Sequence, residues 1–243
     1  MTESIGARGN QLPDFLQWTW LGRAIVFFLS ATSIWCLLAE FYKLCSMRMF
    51  TFWVLIPSTL LLVVMAIVDW KRGDRRLFWA MVIGSIGGFI AACSYDTFRI
   101  PFVVAAIDHV GPIWLRLPLF KVFPRFGALI LGQPFDANTT DSQFTLTAHL
   151  VGWIYHFSNG ITFGIMYMAL IGDAVKRSWL WAIALAVFLE LAMLFTPYTQ
   201  FFGIRQVTNF VIVTLTAHLI FGVGLGLYTR AKATRLAGAA PSF

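Results

Sequence analysis

A chain of 243 residues that is 59% hydrophobic and only 12% charged carries about half the charge that covers a soluble domain, where about 45–50% apolar and about 25% charged residues are usual. This balance, with a mean hydropathy of +0.76, excludes a water-soluble globular domain and implies a polytopic membrane protein whose first partner is the lipid bilayer. The formal net charge of +7 does not point to nucleic acid, because Lys and Arg stand mostly in short loops between apolar runs, where they set membrane topology.

Residues 1–14 are polar and the first apolar run, 15–42, is long enough to cross a bilayer, so it is expected to remain as an anchor and not to be a cleaved signal peptide. Arg23, near its start, is expected to snorkel to the headgroups. A second run, 51–68, ends at Asp69 and leads into the loop WKRGDRR at 70–76, where four of seven residues are basic. The third, 77–95, contains Gly84, Ser85, Gly87 and Gly88, a small-residue face that lets a neighbouring helix approach closely.

Residues 96–143 break this pattern. Pro101, Pro112, Pro118, Pro124 and Pro134 exclude one continuous helix. Yet IPFVVAAI and PIWLRLPLF are apolar, with Arg99, Arg116, Lys121 and Arg125 interleaved, so the segment is expected to form short interfacial or re-entrant helices, a lid on the outer face. Asn138-Thr139-Thr140 matches a glycosylation sequon and is read as chance.

The fourth run, 144–170, carries His149, His156, Ser158 and Asn159; the fifth, 179–195, carries Glu190; the sixth, 208–228, carries His218. The expected fold is therefore all-α: about six transmembrane helices in a single domain over residues 1–243, without an internal repeat. The loop after the second run, the turn at 172–178 and the C-terminal tail are basic, which places them and both termini in the cytoplasm of a cell with an inner membrane. Lys43 and Arg48 run against that rule. Cys36, Cys45 and Cys93 form no C-x-x-C pair or metal-ligand spacing and read as small packing residues.

Ionisable groups in a span are costly and usually face the bundle interior. At about 1.5 Å rise per residue, His149 lies about 8 Å from the outer side, His156 about 18 Å and His218 about 15 Å, while Glu190 is about 16 Å from the opposite side. His156, Glu190 and His218 thus share one depth. His149 and His156, seven residues apart, share a helix face, with Asn159 beside it. Gly222 and Gly226 follow His218 at i+4 and i+8, a groove for a helix or a flat ligand, and Asp96 with Arg99 falls near the level of His149.

Three functions follow as expectations. In the first, His149, His156, His218 and Glu190 bind zinc, iron or copper, or His156 and His218 hold a haem, for redox or hydrolytic chemistry with Glu190 and Asp96 as catalytic acids or bases. In the second, the same groups relay protons in a small-solute carrier. In the third, the chain is an accessory subunit that packs with other membrane subunits or with copies of itself. HFSNG around His156 and AHLIFGVGLG around His218 resemble two helices of the rhomboid proteases, but the helix that should carry the G-x-S-x nucleophile has Gly160-Ile161-Thr162-Phe163 and no serine, so Ser-His hydrolysis has no candidate there. The paired histidines of the zinc-dependent seven-span hydrolases and receptors are missing as well.

Overall fold

Helix is the sole regular structure among the residues that the computed structural model describes, 20–72, 75–136, 138–204 and 206–238. The first apolar run forms α1 (Trp20–Ser30) and α2 (Thr32–Phe41), bent by 50° at Ala31. Ser30 Oγ donates to Val26 O and Thr32 Oγ1 to Leu29 O, both at 2.8 Å; such hydroxyl bonds to the preceding turn compete with the ladder and bend a helix. Arg23 has protein partners. Its Nε donates to Ala169 O at 2.9 Å and its Nη2 to Leu170 O, so it caps the end of the helix against which α1 packs.

The second run is one long helix, α3 (Met47–Phe50), a wide π turn (Thr51–Leu55) and α4 (Ile56–Arg72). Ser46 caps its start, accepting from the Met49 amide at 3.3 Å. The π turn lies just ahead of Pro57, whose ring and missing N–H an ordinary turn accommodates poorly. On α4 only Leu62 and Ala66 are buried, while Leu60, Leu61, Val63, Val64, Ile67 and Val68 are exposed. A helix apolar all round with so narrow a buried stripe has the character of a membrane span.

The third run exceeds its expected end by three turns. α5 (Arg76–Ile107) passes through Asp96, Arg99 and Pro101, so the irregular segment begins at Asp108 and not at residue 96. One proline removes one ladder bond, and here the following chain is laid along the helix end: Leu117 N donates to Phe102 O at 3.2 Å and Arg99 Nη2 to Leu119 O. After that come α6 (Val122–Leu131), whose Pro124 sits harmlessly in the first turn, and Gly132 at φ +72°, which ends it. α6 is buried along most of its length, not laid flat at a surface with one face free.

α7 (Leu146–Ile171), α8 (Leu180–Leu194), the single turn α9 (Tyr198–Phe201) and α10 (Thr208–Gly238) complete the chain. By length and composition three helical stretches can cross a membrane, Met47–Arg72, Leu77–Ile107 and Thr208–Leu236, and a fourth can if the bent α1–α2 pair is one span. α7 is 26 residues long but diluted by its polar residues, and the 15 residues of α8 rise about 22 Å against a hydrocarbon core of about 30 Å.

α5 and α7 meet along a ladder of every fourth residue. A Cβ on Gly84 would stand 2.7 Å from Gly164 O, and one on Gly88 2.0 Å from Gly160 O. The same device seats α6 on α7, where a Cβ on Gly152 would lie 1.7 Å from Phe123 O, and α10 on α8, where one on Gly222 would lie 2.5 Å from Ile183 Cα. Small residues let the backbones touch, the main source of helix cohesion where lipid removes the hydrophobic drive.

Candidate functional site

The α5–α7 ladder changes character one turn beyond Gly88. Ala92 still touches Gly160, but at the next rung the glycines give way to Asp96 and His156, joined at 2.8 Å between Oδ2 and Nε2. Asp96 Oδ1 takes Arg99 Nη1 at 3.3 Å, one turn further along α5. Asp96 is 7% exposed and Arg99 4%, so the carboxylate neutralises a buried guanidinium while fixing the imidazole. The guanidinium also lies over the rings of Tyr95, Phe120 and Phe123, at 4.6, 5.1 and 5.6 Å.

A second acid–imidazole pair faces this one. On α10, His218 Nδ1 lies 2.9 Å from Thr214 O, the hydrogen bond that makes Nδ1 the protonated nitrogen, and 3.4 Å from Glu190 Oε2 on α8. That leaves His218 Nε2 as the acceptor. Tyr95 stands between the two pairs, its ring 4.9 Å from that of His218 and 6.0 Å from that of His156.

His156, Glu190, His218, Tyr95 and Arg99 line one cavity of about 680 Å³, partly open at the end of the bundle where α5 and α8 finish and α7 and α10 begin. This is the volume of a small-molecule site, about 300–1,000 Å³. Its walls draw on α2, α5, α6, α7, α8, α9 and α10, with Leu, Ile, Phe and Tyr prominent among them, and its rim is the segment that carries Ile113, Trp114, Arg116 and Lys121. Ile113 and Trp114 are largely exposed there. Lys121 donates to Gly203 O at 3.1 Å; burial, then the neighbouring Arg125 guanidinium, lower its pKa from the usual lysine value.

The site gathers three of the four candidate metal ligands, His156, Glu190 and His218. His149 stays outside. Seven residues separate it from His156, about 10 Å of rise; at the mouth of α7 its Nε2 meets Asp141 O at 3.0 Å, and it does not line the cavity. Asp96 is at the level of His156 and not of His149, because α5 is longer than its hydropathy suggests. Among the described residues no three His, Cys, Asp or Glu side chains converge as a metal-ligand set. The glycine groove beyond His218 is filled by α8: a Cβ on Gly226 would lie 2.5 Å from Trp179 O, so the groove receives a helix and no slot for a haem lies beside these glycines. The three cysteines are free, and Cys36 is fully buried against Thr51.

Sequence reasoning passes over Tyr95, Tyr198, Asn209 and Thr214, which also line the cavity. Tyr95 had a signal: it precedes Arg99 by four residues, one helical turn, the spacing for a ring beneath a cation. Asn159 lines the cavity too, and its buried Oδ1 makes no hydrogen bond among the described residues. No known family, no curated protein and no solved structure matches this chain.

Proposed function

We propose that this chain is a six-span protein of a cytoplasmic membrane, both termini inside, which carries a small solute across the bilayer coupled to protons. The spans of this reading are α1–α2, α3–α4, α5, α7, α8 and α10, with residues 108–145 and α6 forming the outer cap of the cavity. Lys71, Arg72, Lys176, Arg177, Arg230, Lys232 and Arg235 then lie together on the inner side, in agreement with the rule for basic loops.

The observation that carries the reading is that two carboxylate–imidazole pairs meet at one partly open, largely apolar cavity, Glu190 with His218 lining it and Asp96 reaching it through His156. Intramembrane carboxylates next to histidines are the usual elements of proton relays, and mid-membrane cavities between helices are where carriers hold their cargo. Asp96 is fully engaged by Arg99 and His156 and fixes geometry. Glu190, whose partner is 3.4 Å away, is the group free to exchange a proton with the cavity.

The test is reconstitution into vesicles with an internal pH dye and a panel of small organic acids, amines and neutral solutes. A solute-dependent proton flux that is abolished in Glu190→Gln supports the carrier. A flux of equal size in native protein and variant removes Glu190 from the mechanism, and the absence of any solute-dependent flux removes the reading.

A further inference from the structure

We infer that the solute bound in this cavity is an organic anion, a single carboxylate or phosphate carried on an apolar body; this deepens the carrier reading and rests on it. The charges are the first argument. Three cations, Arg99, Arg116 and Lys121, line the cavity against one carboxylate, Glu190. Asp96 balances Arg99 from behind the wall, which leaves Arg116 and Lys121 against the single carboxylate of Glu190. Arg116 and Lys121 make no ion pair among the described residues; Arg116 donates to Gly111 O at 2.8 and 3.1 Å and Lys121 to Gly203 O, so each keeps donors free at the rim. A low-dielectric cleft lined by an excess of one sign concentrates the opposite sign in its ligand.

The second argument is the deep end. Arg99 Nε is buried and makes no hydrogen bond among the described residues, although both other guanidinium nitrogens are used. A buried donor left open in this way costs free energy that a ligand oxygen would return. Much of the remaining wall, with Leu117, Leu119, Phe123, Phe163 and Phe210, is apolar, broken by the polar groups of Asn159, Tyr198, Asn209 and Thr214, a lining that suits a ligand whose body is mainly hydrocarbon or aromatic.

The full chain in nanodiscs of zwitterionic lipid is titrated by calorimetry with octanoate, octyl phosphate, octanol and octylamine. Octanoate and octyl phosphate should bind at least tenfold more tightly than octanol, and octylamine more weakly than octanol. Arg116→Gln with Lys121→Gln, at rim positions that bond only backbone carbonyls, should weaken octanoate about tenfold and leave octanol unchanged. Repeating the titration with phosphatidylglycerol in the nanodisc separates the two sources of such a head: competition assigns the seat to a lipid headgroup, and unchanged affinity assigns it to a free anion. Octanol binding as tightly as octanoate overturns the inference while leaving the cavity reading intact. If none of the four binds, both are overturned.

Discussion

The two halves of the α5–α7 contact use the same helices, the same four-residue spacing and opposite chemistry. At Gly84 and Gly88 the missing side chains let backbone touch backbone, leaving neither volume nor a polar side chain at the contact. Two turns on, Asp96 meets His156 and, one turn further, takes Arg99, and a cavity opens beside them. In lipid, cohesion comes from close packing and from polar contacts between helices. The glycine half binds the helices; the polar half, held apart by full-sized side chains, leaves room for a ligand. A rigid seam thus positions the site, and the site adds no seam of its own.

The comparison breaks most severely at Gly88. Its substitution by leucine puts a Cβ 2.0 Å from the Gly160 carbonyl, a backbone atom that cannot move aside, so a loss of more than about 4 kcal/mol and failure to yield a monodisperse particle are expected. Gly87→Ala is the control: its nearest contacts, at 3.0 Å, are side-chain atoms of Thr229 and Tyr228, which can shift. Equal melting temperatures for Gly88→Leu and native protein would show that the glycine seam does not hold α5 to α7.

Next in size is Asp96→Asn, which leaves the Arg99 guanidinium buried beside a neutral amide. Removing one partner of a buried pair costs about 3–5 kcal/mol. The double variant Asp96→Leu with Arg99→Met should melt closer to native than either single change, since it removes both charges together. If the double loss equals the sum of the single losses, the pair is not a unit.

The α5 half of the seam was legible in the sequence as a small-residue face, and so were the three stretches, or four with α1–α2, whose apolar length matches bilayer thickness. The site was legible only in part. Counting rise per residue groups His156, Glu190 and His218, and those three border the cavity. The same counting misplaced Asp96, because Pro101 and two charges look like the end of a helix that in fact continues to Ile107. The partners of Arg23 were out of reach for a related reason: they are backbone carbonyls at Ala169 and Leu170, and carbonyls leave no trace in a sequence. The filling of the glycine groove by α8 rather than a flat ligand depended on which helix lies opposite, information that spacing along α10 does not contain.

Two smaller changes sharpen the distinction between holding and acting. Glu190→Gln should shift stability by less than about 1 kcal/mol, because His218 keeps its bond to Thr214 O and the carboxylate has no closer partner to lose. Its expected effect is on proton flux alone, and an unfolded variant would mean that Glu190 is structural.

His149→Ala should do least. Its one bond, to Asp141 O at the rim, is worth about 0.5–1.5 kcal/mol, and the residue does not border the cavity, so both ligand affinity and flux should match native protein. Placed beside His156→Ala, which strips the imidazole from Asp96 and opens the cavity wall, it separates two histidines that lie on one helix face but at different depths. A shared loss of flux in both would show that the path to the cavity runs through the mouth of α7, past His149, and not only across the rim formed by Arg116 and Lys121.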